Sequence, residues 1–501
     1  MPQSNAKDQQ AIASVAFVSL GCPKNLVDSE RMLGLLAQDG LAITPHEAEA
    51  DAIVINTCGF LEASKTESMA EIQRAIDLKS QGRCKRVIVA GCLVQRHKTK
   101  LLAEAPGIDK LVGVFDREHI VEAVRGQSNP SQDHGHWLGK YHDLTKKLLV
   151  NELLVAGDPA ATSNQQRATN NSLPLFEDDR ARLRLTPRHY AYLRMSEGCN
   201  QGCAFCTIPG IRGPMRSKPL DQILAEASEL AADGAVEINL IGQDTTSYGT
   251  DLARAGLPDG GGLANLLRTL DRKLPRDVRW VRLMYAYPSC FTDEMIDAIA
   301  QSDRIVKYID MPLQHISDRL LNVMKRRVTR QQIETLLNKL RTRIPGIAIR
   351  TTFIAGSPTE TEQEHEELLQ FVRDFGFDHM GVFPYSPEPG TPMGRMTGQH
   401  DDATKQRWVE ALMLAQQQVV FARNASRVGQ TIEVMIEGRH DKGYVARTGG
   451  QAPDIDSVVY VSSRENLAPG DIVQVELSDY QNYDLVAKLP RKKARSLAVV
   501  R

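Results

Sequence analysis

Neither sign of charge is in surplus in this sequence: 61 Lys and Arg stand against 62 Asp and Glu, a formal net charge of −1 at pH 7. A chain so balanced has no global pull toward nucleic acid or a membrane surface, and any such binding must come from a local patch. Long apolar runs are missing as well. No stretch approaches the ~20 apolar residues that span a bilayer. Residues 1–14 are polar around Ala11-Ile12-Ala13 and lack the long apolar centre of a secretion signal. Cysteine is scarce, with eight in 501 residues, too few and too scattered for a disulfide scaffold. The expectation is a cytoplasmic protein of ordinary globular make-up, 42% hydrophobic and 25% charged, long enough for two to four domains.

Six of the eight cysteines fall into two sets. The tighter one lies in Glu197-Gly198-Cys199-Asn200-Gln201-Gly202-Cys203-Ala204-Phe205-Cys206. At CxxxCxxC spacing, Cys199, Cys203 and Cys206 can close a short loop around one iron–sulfur cluster, each thiolate on a different iron. A 4Fe–4S cube held by three such ligands keeps one iron open to a small molecule. Gly198 and Gly202 suit the tight turns of that wrapping. Zinc and scattered buried thiols are the alternatives. Zinc sites usually pair CxxC units with a fourth Cys or His at matching distance, and none follows closely here.

The looser set depends on the organisation of the chain. Over 15–125, short apolar runs (Val15–Leu20, Ala52–Asn56, Arg86–Ala90, Lys110–Val114) read as strands, and Leu26–Gln38, Leu61–Lys79 and Arg117–Arg125 read as helices. Such alternation argues a parallel sheet with crossover helices. Cys22, Cys58 and Cys92 each lie just past a strand end, 36 and 34 residues apart, about one β/α unit each. Strand carboxyl ends share one edge of a parallel sheet, so three thiols remote in sequence can converge there. Cys84 precedes its strand, belongs at the opposite edge and reads as a buried small hydrophobe.

Residues 127–188 turn polar around one apolar patch, Leu148–Val155, and read as a partly disordered linker or insertion. From 189 to 425 the alternation resumes, with strands expected at Ala191–Met195, Val236–Ile241, Val278–Met284, Lys307–Asp310, Ile347–Ile354 and Met380–Pro384. Six units are too few for a closed eight-fold barrel and suit an open (β/α)6 partial barrel, with chemistry at the strand exits. The loops Gly242-Gln243-Asp244-Thr245-Thr246, Asp310-Met311-Pro312-Leu313-Gln314-His315 and Gly356-Ser357-Pro358-Thr359-Glu360 all point at that mouth. Cys290 follows a strand there without partner spacing and reads as a free thiol. After a helix at Lys405–Arg423, Ile432, Val434 and Ile436 alternate with Glu433, Met435 and Glu437 at the period of a half-buried strand. Val458–Val461, Ile472–Leu477 and Asp484–Leu489 repeat the theme, and a small β-barrel is expected. The fold class is α/β, with five segments: 14–126 a parallel-sheet domain, 127–188 the linker, 189–425 the partial barrel, 427–490 the small β-barrel and 491–501 a basic tail.

The three-cysteine loop ahead of a β/α chain resembles the radical S-adenosylmethionine (SAM) enzymes, and its continuation through Thr207-Ile208-Pro209 and Arg212-Gly213-Pro214-Met215-Arg216-Ser217 resembles the methylthiotransferases among them. Ser19-Leu20-Gly21-Cys22-Pro23-Lys24-Asn25 with Asp28-Ser29-Glu30 resembles that family's N-terminal domain, and the last module its TRAM domain. The resemblance implies two 4Fe–4S clusters. One is held by Cys199, Cys203 and Cys206, where SAM is cleaved to a radical that abstracts hydrogen. The other is held by Cys22, Cys58 and Cys92, whose open iron carries the sulfur to be methylated. Gly242, Gln243, Gln314 and Arg350 are the candidates for SAM contacts at the barrel mouth; the cofactors carry the chemistry, so no side chain is assigned as catalytic. A small electron donor such as flavodoxin or ferredoxin is implied. Thr359 stands where the family often has glycine.

The family divides by substrate, adenosine in tRNA or an aspartate β-carbon of ribosomal protein uS12. Residues 427–490 hold six Lys or Arg against ten Asp or Glu, about −4. Such a module repels RNA and attracts a basic ribosomal protein. The motifs around Cys22, Gly242-Gln243-Asp244-Thr245-Thr246-Ser247-Tyr248-Gly249 and Asp310-Met311-Pro312-Leu313-Gln314-His315-Ile316-Ser317 also resemble the uS12 enzymes. The expected substrate is uS12, alone or in the small ribosomal subunit; a tRNA enzyme is the alternative, and a non-enzymatic electron carrier a more distant one.

Overall fold

The computed structural model describes residues 12–129, 135–139, 176, 178–254, 261–441 and 443–490. The apolar patch at 148–155 and the basic tail lie outside them.

The first sheet is wholly parallel, with strands β1 (Ser14–Ser19), β2 (Ala42–Thr44), β3 (Ala52–Thr57), β4 (Arg86–Gly91) and β5 (Lys110–Val112) in the order β2-β1-β3-β4-β5. The central strands are continuously apolar because helices cover both faces: Ile53, Val54, Ile55, Val87, Ile88 and Val89 are fully buried. β2, a three-residue edge strand, is too short to show a period and was not foreseen. Past β5 the expected single helix is instead a 3₁₀ segment, Val114–His119, followed by a short helix, Ile120–Val124.

Part of the expected linker belongs to the fold. Trp137 bridges to Val112 in parallel and packs, buried, among Val15, Val54 and Val112. Phe176 and Asp179 are buried too. Polar composition suggested a tether, but single buried residues in a polar run leave no periodic signal.

The second sheet holds six parallel strands: β6 (Tyr190–Arg194), then, after the small antiparallel pair β7 (Ser196–Glu197) and β8 (Arg216–Ser217), β9 (Glu237–Ile241), β10 (Trp280–Leu283), β11 (Ile305–Asp310), β12 (Ala348–Ala355) and β13 (His379–Pro384). Their order, β13-β12-β11-β10-β9-β6, is that of an open (β/α)6 barrel. Alternate residues face outward to the helices, as with Leu193, Leu240 and Ile349, or inward, as with Tyr192, Met284 and Tyr308.

The third domain is a closed barrel of β14 (Thr431–His440), β15 (Gly443–Arg447), β16 (Val459–Ser462), β17 (Ile472–Gln481) and β18 (Asp484–Lys488), in the order β14-β15-β16-β18-β17. Val434 and Ile436 fill its core as their period predicts. Met435, expected outside, is fully buried because its face of β14 packs against the partial barrel beside Trp280 and Tyr308. The turn after β15 plugs the partial-barrel lumen: Arg282 donates to the Gly449 carbonyl at 2.8 Å, His379 bonds the Gly450 carbonyl at 2.8 Å, and Tyr308 donates to Asp456 at 2.9 Å. Three of the ten acids counted above, Glu437, Asp454 and Asp456, are thereby spent on contacts with the second domain. No helix among the described residues is long and apolar enough to cross a membrane.

Candidate functional site

Past β7 the chain turns through Gly198, whose φ of +80° and contact with the carbonyls of Gly213 and Pro214 leave no room for a Cβ. The cysteine loop that follows is fixed by its backbone. Cys199 N–H donates to the Gly213 carbonyl (3.2 Å), Ala204 N–H to that of Met324 (2.9 Å), and Met393 N–H to that of Ala204 (3.0 Å). Donors point at the sulfurs: Gln201 N–H at Cys199 Sγ (3.5 Å), Ile208 N–H at Cys206 Sγ (3.4 Å) and Arg326 Nη1 at Cys203 Sγ (3.5 Å). Arg326 lies over the Tyr287 ring, 4.1 Å from its centre. Burial pushes the Cys199 thiol up to about 11 and the Cys206 thiol up to about 12. Thiols so buried ionise when a metal takes the place of the proton, and the donor set fits a cluster with one open iron.

The second trio is assembled from three strand exits. Cys22 precedes the helix Pro23–Gln38, Cys58 directly follows β3, and Cys92 opens the helix Cys92–His97 directly after β4. Pro23 is at home in a first helical turn, so this helix begins three residues ahead of the expected Leu26. At Gly21, with φ +90°, an added Cβ would lie 2.8 Å from Cys58 Cβ and 3.2 Å from its Sγ; at Gly59 one would meet Leu93 Cα at 2.7 Å. The three loops are therefore in contact along one sheet edge. Burial pushes the Cys92 thiol up to about 12, against the opposing effect of Arg212 and with the other two thiols adding to the rise. Cys84 is buried at the far end, directed at the Ala75 carbonyl 3.9 Å away. Among the described residues no three His, Cys, Asp or Glu converge on a single-ion site.

A buried ionic seam joins the two trios. Arg212, on the short helix after the cysteine loop, donates to Cys92 Sγ at 3.2 Å, and its Nη1 pairs with Glu197 (3.0 Å) and Asp28 (2.9 Å). Asp28 also takes Arg117 (2.6 Å) and Arg194 (2.8 Å), while Asp179 takes Arg117, Arg194 and Lys218. Burial alone would raise both carboxyls, but Arg194, Arg212 and Arg117 hold Asp28 down to about 2, and Arg194, Lys218 and Arg117 hold Asp179 well below its ordinary range. Higher on the same junction, Arg96 donates to the Gly59 carbonyl (2.8 Å) and pairs with the buried Glu388 of the second domain (2.9 Å).

Of the four residues proposed to contact SAM, Gly242, Gln243 and Gln314 lie in loops past strand ends, whereas Arg350 lies within β12. Gly242 packs against Ser196, and Gln243 donates to Glu197 at 2.6 Å. Among the described residues the buried Gln243 Oε1 and Ser196 Oγ have no hydrogen-bond partner, which suits a polar ligand. Gln314, at φ +75°, is pinned by its backbone to Thr352 and Ile354. Arg350 is drawn into the lumen by Asp310 (3.0 Å) and by Asp456 of the third domain (3.4 Å). His315 is satisfied in the interior by Glu360 and the Ser317 N–H. Cys290 accepts from Gln201 at 3.4 Å. Thr359 adopts φ +66°, the conformation glycine takes freely, and is held there by Arg319 and the Gly398 carbonyl. Sequence reasoning passed over Lys24, Asp28, Glu197, Arg212, Tyr285 and Asp179 as functional residues. The first four stand inside the motifs quoted above, yet only their burial distinguishes them from solvated charges.

Three family models match the chain: the uncharacterized protein family UPF0004 over residues 14–113, the radical SAM superfamily over 193–372 and the TRAM domain over 428–489. The chain is 41% identical over 480 residues to a ribosomal protein uS12 methylthiotransferase RimO of Desulforamulus reducens, covering 95% of this chain and 99% of that protein. It is 41% identical over 478 residues to a protein of the same name from Trichlorobacter lovleyi, covering 95% and 98%. A third, from Bdellovibrio bacteriovorus, is 40% identical over 494 residues, covering 98% and 99%.

Proposed function

The chain belongs to the ribosomal protein uS12 methylthiotransferase family, and on that premise we propose that it inserts a methylthio group at the β-carbon of an aspartate of uS12. Cys199, Cys203 and Cys206 would hold one 4Fe–4S cluster, and Cys22, Cys58 and Cys92 the other. When bound, the clusters and SAM supply the hydrogen abstraction and the methylated sulfur, chemistry that no acid or base in the chain can perform on so weakly acidic a carbon.

The chain's part is to position and to insulate. The observation that carries the reading is Arg212, which touches Cys92 Sγ at 3.2 Å and pairs with Glu197, two residues before Cys199. One buried guanidinium thus ties both trios to a shared junction, where one substrate carbon can face both. Arg326 and the Gln201 and Ile208 amides aim positive charge and dipoles at sulfurs that carry negative charge once ligated. Asp28, Asp179 and their arginines are buried. The turn carrying Asp454 and Asp456 closes the lumen from below, so the substrate enters from the mouth. A one-electron donor of the flavodoxin or ferredoxin kind would supply the reducing equivalent.

Mass spectrometry of uS12, free and in small ribosomal subunits, from strains with and without this gene is the test. The expected result is a methylthio-aspartate that disappears with the gene. An unchanged uS12 beside an altered adenosine in tRNA digests would replace this reading with the tRNA one.

A further inference from the structure

Lys24 is a buried cation that the seam leaves over. Its residue is 7% exposed, and among the described residues its ammonium has no hydrogen-bond or carboxylate partner; it rests on the Tyr285 ring, 3.0 Å from the centre. The carboxylates around it are already engaged. Asp310 holds Arg350 at 3.0 Å and the Tyr285 N–H at 3.2 Å. Glu197 holds Arg194, Arg212 and Gln243. Asp28 holds three arginines. A desolvated ammonium is costly; the Cys22 sulfur favours its charge but is committed to its own trio, and a carboxylate brought in from outside would complete the pairing.

Its position selects which carboxylate. Lys24 follows Cys22 by two residues, and the ring beneath it belongs to the exit of β10, so it spans the junction from the second trio to the barrel mouth. Tyr285 is itself held in a conformation a bulky residue rarely takes, φ +61°, by its N–H to Asp310 and by its carbonyl, which accepts from the Thr245 N–H (3.2 Å) and from Thr245 Oγ1 (3.2 Å).

We propose that Lys24 anchors the substrate by a salt bridge to the side-chain carboxylate of the aspartate to be modified, which sets the neighbouring β-carbon between the two trios. Lys24 is then a positioning and specificity residue that distinguishes aspartate from asparagine. The proposal rests on the uS12 reading above.

The test is anaerobic titration of cluster-reconstituted enzyme, without reductant, with purified uS12 and with uS12 whose target aspartate is replaced by asparagine. Wild-type enzyme is expected to prefer the aspartate form by roughly tenfold or more, the worth of a charged hydrogen bond in a desolvated site. Lys24→Met should bring the two affinities together, read on protein whose iron content matches wild type. Lys24→Arg should restore the preference. If Lys24→Met does not load iron, Lys24→Gln is read in its place. A Lys24→Met or Lys24→Gln enzyme that still prefers aspartate, or a wild-type enzyme that binds both forms alike, overturns the anchor and leaves the uS12 reading standing. A wild-type enzyme that binds neither form overturns both.

Discussion

The two cysteine trios are built in opposite ways. Cys199, Cys203 and Cys206 lie within eight residues of one loop. Their geometry comes from local turns and a few backbone hydrogen bonds to Gly213, Met324 and Met393. Cys22, Cys58 and Cys92 span 71 residues and meet only because β1, β3 and β4 are parallel neighbours ending on one edge. A site written into one loop can be read from spacing and tolerates change elsewhere. A site written into a sheet inherits every constraint of the sheet and of whatever docks against its edge.

The largest expected effects separate the two trios by role. Cys199→Ala should abolish SAM cleavage, whereas Cys58→Ala should leave cleavage intact and stop methylthiolation. Wild-type enzyme should bind about eight irons and each variant about four, measured by iron analysis with product mass spectrometry. Methylthiolation by Cys58→Ala would end the division of labour.

The backbone sharpens the contrast. Gly21→Ala places a Cβ 2.8 Å from Cys58 Cβ at φ +90°, and should cost the sheet-built cluster and its roughly four irons. Gly202→Ala, at φ +66° with nothing within 4 Å of the new Cβ, should cost only about 1 kcal/mol of strain and keep full iron content. Equal losses at both glycines would mean that conformation, not contact between strand exits, governs both sites.

Next comes the seam. Asp179→Ala removes the one carboxylate that Arg117, Arg194 and Lys218 share, leaving them to Asp28, Glu197 and Glu226, and should lower stability by about 3 kcal/mol in denaturant titration. The pH dependence has a definite sign. Asp28 is held at about 2 in the folded protein against ~4 unfolded, so its contribution is fully present above that range and drains as pH falls toward about 2. Acid titration of the metal-free protein should therefore show stability falling below about pH 4, and less steeply in Asp28→Asn. The smallest effect lies away from both trios. Thr361 caps the helix Glu362–Phe375 in a reciprocal pair with Glu364, and Thr361→Ala should cost about 1 kcal/mol without altering iron content.

How much was legible follows the same division. The six strands of the barrel and the cysteine loop rest on period and spacing, which act over a few residues. The strand-exit positions of Cys22, Cys58 and Cys92 were readable because a parallel sheet aligns its carboxyl ends whatever its strand order. Trp137, Asp179 and Met435 were misjudged because each takes its burial from a different domain or segment, and composition around them is silent about that neighbour.

By itself, then, the chain determined which residues can ligate iron, which stretches become strands, and that the surface carries no net pull toward phosphate. Tertiary structure alone decided that Arg212 joins the two trios, that part of the acidity of the last domain is spent inside the lumen, and that Lys24 rests on a ring with no carboxylate partner among the described residues. The reason is physical. Backbone preference and hydrophobic period are set by near neighbours, whereas the pairing of a buried charge depends on which distant carboxylates the fold brings beside it.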